Sequence, residues 1–502
     1  MDQEGRMAAE PSKTSDKIYA LINYEDAYVQ PLILSALEKR LPAATYELIA
    51  SLSQLPSPSF RLLQFVQYES IDWDHLMEHS STSLANAYTI RKALIRKHYL
   101  STTIANWITK YPDSVLKKHV KPSVEFEVDY AEFLDDALVE AWELKESWAR
   151  NEELGDEDED SAKKEWWILK PGMSDRGQGI RLFSTEQELT EIFEEWDPDS
   201  DDEEDEDARS DNMNQEKKDR DDDDDGIITS QLRHFIAQPY IHPPLLLSPT
   251  PSSSSSSSPE SLRKFHIRTY VLATGALKVH VYRPMLALFA AKPYIPPWDS
   301  ALQSNRDEAM RAHLTNTCLQ DTGDREGSVA LFWSLPDALP TQPRFTTASS
   351  SSSSSSEGGK AEKQDTTSVP LDIPPTWKHT AFSQICAITA STFEAAARGM
   401  SIHFQALPNA FELFGLDFML SYNPHTHALD TWLLEVNAYP DFRQTGHELS
   451  GLVSGLLERV VDKAVRPFFG LPDTHAEMQS DAAAADDDDM VCVLDIDLGR
   501  RA

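Results

Sequence analysis

The feature that most limits how this chain can fold is a pair of apolar segments near its C-terminal end, Phe414-Gly415-Leu416-Asp417-Phe418 and Leu433-Leu434-Glu435-Val436-Asn437. Each sets an acidic residue inside an otherwise apolar run. Residues two apart in a strand share a face, so Glu435 and Asn437 point the same way. A hairpin symmetric about Thr426, in the turn Asn423-Pro424-His425-Thr426-His427, places Asp417 opposite Glu435. Two carboxylates so close repel unless a cation neutralises them, and a few hard oxygens suit Mg²⁺ shared with a phosphate. A plain hairpin with solvated polar positions fits the same pattern, so the remainder of the chain has to discriminate.

Low-complexity tracts divide the 502 residues. Residues 152–164 and 197–226 are acidic, 248–261 and 346–375 are serine-rich or proline-containing, and 473–502 reads as a polar tail. Neither the acidic and serine-rich tracts nor residues 475–489 of the tail can bury enough apolar area to offset the entropy of ordering it, so these are expected to be disordered, as are residues 1–15. The net charge of −37 sits largely in these runs: residues 196–225 alone hold 17 acidic and four basic residues. What remains is moderately acidic, and the charge therefore says little about a site. The expected subdomains are 16–105 (N-terminal), 106–245 (central, carrying the two acidic insertions) and 263–470 (C-terminal, catalytic). Three cysteines, Cys318, Cys386 and Cys492, have no paired spacing, which excludes a cysteine zinc ribbon and argues against a disulfide framework. Met1 to Asp16 lacks an apolar signal core and no apolar run reaches the ~20 residues of a membrane span, so a soluble, cytoplasmic protein without membrane association is expected.

Between the tracts, strand and helix patterns alternate. Strands are expected at 17–23, 166–170 and 231–240, and helices at 27–40, 102–110, 380–400 and 447–468. The last has its apolar stripe on Leu449, Leu452, Leu456, Val460 and Ala464. Segment 124–150 combines a strand-like start with an acidic amphipathic helix. Segments 263–272 and 277–283 alternate and are joined by Ala273-Thr274-Gly275, a hairpin. The class is α/β with antiparallel sheet in the C-terminal half.

Cations recur at strand ends. Lys170 closes a strand just before Pro171-Gly172-Met173-Ser174-Asp175-Arg176-Gly177-Gln178-Gly179, a glycine-rich loop that lets backbone amides approach an anion. It is not a Walker A loop, because the lysine precedes the glycines; a structural turn is the simpler alternative. Lys264, His266 and Arg268 alternate with Phe265 and Ile267 and so project from one strand face, while Arg283 ends the partner strand. Such a basic face suits an anionic ligand, or else lies open to solvent. Lys97 is a further candidate phosphate ligand.

Taken in order, these segments resemble an ATP-grasp nucleotide site, and specifically the tubulin–tyrosine ligase family. The shared stretches are 86–100, 167–180, 238–242, 263–283, His313-Leu314-Thr315-Asn316, 414–418 and 435–440. The nearest likeness is to the ligase-like domain of fungal P-body-associated proteins, in some of which it adjoins a SurE-like phosphatase domain not found in these residues. The resemblance implies that Lys97 and Lys170 contact ATP phosphates, and that Gln238, Pro239, Tyr240 and Ile241 form the hinge against adenine. Lys264 and His266 would lie near the nucleotide, and Thr315 with Asn316 near the ribose and phosphates. Asp417, Glu435 and Asn437 would hold Mg²⁺; Arg268 and Arg283 would act catalytically on an acyl phosphate or carboxylate.

The implied reaction is ATP-dependent ligation of an amino acid to a protein tail such as tubulin's, through an acyl phosphate. The alternative is a catalytically weak ATP-binding scaffold of cytoplasmic RNA–protein granules, with granule proteins as partners and no direct nucleic-acid contact. Two departures bear on that choice. The family usually has Asp where His266 stands, and Pro239 removes a backbone donor from the hinge.

Overall fold

The computed structural model describes residues 17–155, 161–172, 177–197, 232–249, 261–315, 328–343, 345, 368–369, 371–423, 426, 428–442, 449–472 and 489–499. Most of the expected low-complexity residues, Asn316 and loop residues 173–176 lie outside these.

The N-terminal unit is a parallel sheet, β1 (Ile18–Asn23), β2 (Tyr46–Ile49), β3 (Arg61–Val66) and β4 (Ser83–Ala85), in the order β2-β1-β3-β4. Parallel neighbours need crossovers on the sheet faces, which is why β1 and β3 are nearly all apolar. The helix Val29–Arg40 follows β1 and packs on the C-terminal helix Ser450–Val460 through a shared core of Ile33, Leu37, Val453, Leu456 and Val460. Each of these side chains is almost wholly buried, worth ~1.5–3 kcal/mol apiece against exposure. At the rim of that contact Lys39 reaches Glu458 at 2.8 Å and Arg40 grips Asp462 with two hydrogen bonds. The first and last parts of the fold are thereby one packed unit.

The central unit is an antiparallel sheet of β5 (Val124–Glu127), β6 (Trp167–Pro171), β7 (Arg181–Phe183) and β8 (His234–Pro239), in the order β5-β8-β6-β7. Trp167, Leu169, Phe235 and Ala237 face a core closed by the helices Trp142–Leu154 and Glu186–Trp196. The second helix starts at a capping box between Thr185 and Glu188, an arrangement worth about 1 kcal/mol. The acidic insertion after Leu154 leaves from a closed base. Asn151 donates to the carbonyls of Glu165 and Ser184 and accepts from the Glu165 amide, all within 2.9 Å.

The largest sheet holds β9 (Leu246–Leu247), β10 (Arg263–Thr274), β11 (Lys278–Tyr282), β12 (Leu286–Phe289) and β13 (Val329–Leu331); a two-stranded sheet of β14 (Gln342–Pro343) and β15 (Ser368–Val369) is separate from it in pairing. It is completed by β16 (Phe411–Tyr422), β17 (Leu429–Ala438) and β18 (Met490–Asp495). The long helix Trp377–Gly399 covers one face. β18 corrects the reading of 473–502 as a polar tail: Met490-Val491-Cys492-Val493-Leu494 is apolar enough to pair antiparallel with β11 and cover its edge. The chain is of mixed α/β class, as expected. Among the described residues, no helix is long and apolar enough to cross a membrane.

Candidate nucleotide site

The β16–β17 hairpin delivers the expected pair: Asp417 lies opposite Glu435, and Gly415 opposite Asn437. The route differs in one detail. Near the tip the partners are Tyr422 with Leu429 and Phe418 with Leu433, so the turn is centred half a residue before Thr426. A bulge at Leu434 then adds one residue to β17 and restores the expected alignment. That bulge also exchanges faces. Leu429 and Leu433 point into the core before it and Val436 after it, leaving Glu435 and Asn437 on the other side. On β10, Phe265 and Ile267 are core residues and Arg268 pairs in register with Asp417. One row across three strands therefore reads Arg268, Asp417, Glu435.

Asp417 and Glu435 of this row line a cleft between the central and C-terminal sheets, and Arg268 is joined to it through its hydrogen bonds to Asp417. Lys170, Gln238, Lys264, His266, Thr315, Asp417 and Glu435 line its polar part. Its apolar wall comprises Ile168, Ile180, Pro239, Ile241, Leu314, Met419 and Leu434. Sequence reasoning placed Pro239 and Ile241 there but missed Ile168, Ile180, Leu314, Met419 and Leu434. The missed signal was parity: Met419 shares the face of Asp417, and Ile168 that of Lys170.

Each buried lysine rests on a neutral oxygen. Lys170 donates to the Gln238 side-chain oxygen at 3.0 Å, and the Gln238 amide is fixed by the Lys121 carbonyl and Ser123 hydroxyl. Lys264 donates to the Tyr240 hydroxyl at 3.0 Å, which bonds the His313 ring at 2.7 Å. Burial lowers the Lys170 ammonium to about 8 and that of Lys264, also repelled by Lys170, to about 7. Tyr240 thus contributes its side-chain hydroxyl, a role its sequence context did not suggest.

Arg268 forms a two-pronged hydrogen-bonded ion pair with Asp417, both residues being buried. Burial lifts the Asp417 carboxyl to about 6 against the pull of Arg268, which still leaves it ionised at neutral pH. Burial also opposes ionisation of Glu435, but Lys97 at 3.8 Å, the Asn437 amide and Lys170 outweigh it and hold the group at about 2. His266 accepts or donates at Thr315 Oγ1 at 2.6 Å. Burial and then Arg268 press its imidazole down to about 3, so it is neutral. Its Nε2 has no hydrogen-bond partner among the described residues and lies 3.6 Å from Asp417.

Gly415 makes this geometry possible, since a Cβ there would come within 2.9 Å of Pro440 Cβ and 3.3 Å of Arg268 Cδ.

Of the predicted residues, Lys97, Arg268 and Asn437 join the cleft through Glu435 or Asp417 rather than lining it, and Arg283 is not brought to it. Its guanidinium lies over Trp333 and Phe382, 5.0 and 5.3 Å from the ring centroids. The physical reason is strand parity. Tyr282 packs in the core shared with the C-terminal helix, so the next residue turns to the sheet's other face, where the long helix lies. The neighbour of His266 and Arg268 is instead β12, which offers Leu288 and Leu286.

A metal fits the donor set. The Asn437 amide nitrogen lies 3.1 Å from Glu435 Oε1 and 3.3 Å from Asp417 Oδ2, its positive edge set between two carboxylates. Turning the amide over presents its oxygen to a cation in the same place.

The profile of the Tubulin-tyrosine ligase family matches residues 76–356 and 341–472. A Schizosaccharomyces pombe protein named probable tubulin–tyrosine ligase is 37% identical over 458 residues, covering 91% of this chain and 94% of its own length. The Saccharomyces cerevisiae probable tubulin–tyrosine ligase PBY1 is 38% identical over 465 residues, 91% of this chain but 53% of its own length; the chain thus spans about half of that relative. Among solved structures, the C-terminal domain of K. lactis Pby1 superposes with a TM-score of 0.59 and 31% identity, covering 96% of this chain and 99% of that one. That domain is described as an ATP-grasp enzyme interacting with the mRNA decapping enzyme Dcp2. With an ATP-grasp fold and a family match running through every part of the cleft, this chain belongs to the tubulin–tyrosine ligase family.

Proposed function

We propose that the chain is an ATP-dependent carboxylate–amine ligase that binds Mg²⁺-ATP in this cleft and joins an amino acid to a protein tail. The observation that carries the reading is the row Arg268–Asp417–Glu435, with Lys264 on the same face of β10, meeting Lys170 of the central sheet at one cleft. The apolar wall takes the base, with Gln238, Pro239, Tyr240 and Ile241 along the hinge. Lys97, Lys170 and Lys264 take the phosphates, and Thr315 with Asn316 the sugar side. Asp417, Glu435 and Asn437 would hold Mg²⁺, which would supply charge neutralisation for the transferred phosphoryl group. A substrate carboxylate oxygen attacks the γ-phosphorus, the bond to ADP breaks, and the amine then displaces phosphate from the acyl carbon with loss of a proton. Arg268 stabilises the charge that develops on the carboxylate side.

A second reading, a weakly catalytic scaffold in cytoplasmic RNA–protein granules, has its own support. Arg268 is engaged by Asp417, Arg283 is elsewhere, and aliphatic Leu286 and Leu288 flank Arg268 and His266. The Dcp2 contact of the K. lactis relative makes a decapping factor a candidate partner under either reading. Incubation with Mg²⁺-ATP, tubulin and each labelled amino acid separates the two. Incorporation that depends on Glu435 supports the ligase, whereas nucleotide binding without transfer or ADP release supports the scaffold.

A further inference from the structure

Nine large hydrophobic residues are exposed among the described residues, and four of them, Tyr130, Phe133, Val139 and Trp142, fall in one short stretch of the central unit. Trp142 is 65% exposed. The stretch is firmly seated: Leu134, Leu138, Ala141 and Leu144 alternate with the exposed residues and are buried in the core beneath. The exposed rings are therefore held outward by a packed scaffold. Tyr130 and Phe133 lie edge to face, 6.3 Å apart. Single exposed apolar residues are ordinary; a seated cluster of this size costs solubility unless something covers it.

The charge around it is of one sign. From Pro122 to Leu144 there are eight Asp or Glu and no Lys, Arg or His. Asp129, Glu127 and Glu125 are engaged by Arg233, His234 and Thr102. Glu132, Asp135, Asp136, Glu140 and Glu143 are exposed and make no ion pair among the described residues. The acidic run that follows Asp197 also begins here, because Asp197 Oδ2 accepts the Ala131 amide at 2.5 Å. The patch also lies away from the cleft. The core beneath it takes Trp167, Leu169 and Ala237, whereas Ile168, Lys170 and Gln238 on the opposite face of the same strands line the nucleotide site.

We infer that Tyr130, Phe133, Val139 and Trp142 form a docking surface for a short basic protein segment. Its aliphatic side chains pack on the rings, while its lysines or arginines meet the surrounding carboxylates. A second copy of this chain is the poorer occupant, since it brings the same acidic rim and a net charge of the same sign. The inference does not depend on the ligase reading.

A random-peptide display library selected on the full chain and counter-selected on Phe133→Ser/Trp142→Ser tests it. Both replaced side chains are exposed, so the variant should keep its melting temperature and its ATP affinity. Peptides rich in Lys or Arg with interspersed Leu, Ile or Val should emerge. By fluorescence anisotropy they should bind wild type at least about tenfold more tightly than the variant. Their binding should weaken as salt is raised. Emergence of acidic or purely apolar peptides, or equal binding to the variant, overturns the inference. So does a wild-type dimer in sedimentation that the double substitution dissolves, which assigns the patch to self-association.

Discussion

In the cleft, Lys170 of the central sheet and Lys264 of β10 rest on a neutral amide and a neutral hydroxyl. Arg268, four residues along β10 from Lys264, is tied through two hydrogen bonds to a carboxylate. The difference matters because a neutral acceptor competes weakly with phosphate, whereas a buried ion pair must be opened before its arginine can serve another anion. On the proposed reading, the two lysines form a capture end that is ready for a nucleotide as it stands. Arg268 with Asp417 and Glu435 forms a reaction end, at which a cation on the carboxylates would weaken the hold on Arg268. On this account, nucleotide binding and chemistry are separable properties of one site.

The largest effect that can break this separation is expected at the shared metal pair. Glu435→Gln keeps shape but removes one anionic ligand. Metal-dependent turnover should fall by about 10²–10³-fold, with the circular dichroism spectrum unchanged. A Glu435→Gln enzyme with wild-type rates removes the metal assignment.

Next is Gly415→Ala, which acts on one end only. The added methyl displaces Pro440 or Arg268. Turnover should drop about tenfold while ATP affinity changes by less than about threefold, read by steady-state kinetics and titration calorimetry. Equal losses in both would show that the two ends are not separable.

The capture end should also reveal itself through pH. The Lys264 ammonium is lowered to about 7 by burial, so near pH 7.5 much of it is neutral in the empty protein. Phosphate favours the charged form, and binding therefore takes up a proton. ATP affinity should weaken as pH rises above about 7, by up to about tenfold per unit. Calorimetry in buffers of different ionisation enthalpy measures the uptake directly, and Lys264→Met should remove the larger part of it, leaving the smaller share of Lys170, lowered to about 8. A release of protons contradicts the arrangement.

His266→Asp sharpens the comparison at the reaction end. The neutral imidazole between two cations cannot balance them, and Asp can. Residual ligase activity should rise severalfold or shift in amino-acid preference, read by labelled transfer. The smallest effect is expected from removing residues 198–225 and 251–258, which should move the melting temperature by no more than about 2 °C.

How much of this was legible depended on whether the physics was local. The Lys264, His266 and Arg268 face followed from alternation along one strand, and the Asp417–Glu435 pairing from counting around a turn. The count succeeded because the Leu434 bulge cancelled a half-residue error in the turn centre, something no local pattern announces. Arg283 was misplaced because its face depends on which core its strand neighbour Tyr282 enters. The Gln238 contact to Lys170 joins paired strands of the central sheet, and the Tyr240 contact to Lys264 joins the end of β8 to β10, so neither shows in the pattern of a single strand. β18 was hidden by the Asp-rich run before it, though its own apolar residues were in plain view. The strands of the N-terminal parallel sheet after β1 were likewise unread, their order being set by crossovers rather than turns.

The most direct test of the central claim is titration of ATP into the full chain with and without Mg²⁺, in wild type and in Lys170→Met/Lys264→Met. The account predicts one site per chain, tightened by Mg²⁺ in wild type and weakened by two orders of magnitude or more (about 3 kcal/mol) in the double variant. Undiminished binding in that variant, or no Mg²⁺ effect in wild type, would contradict it.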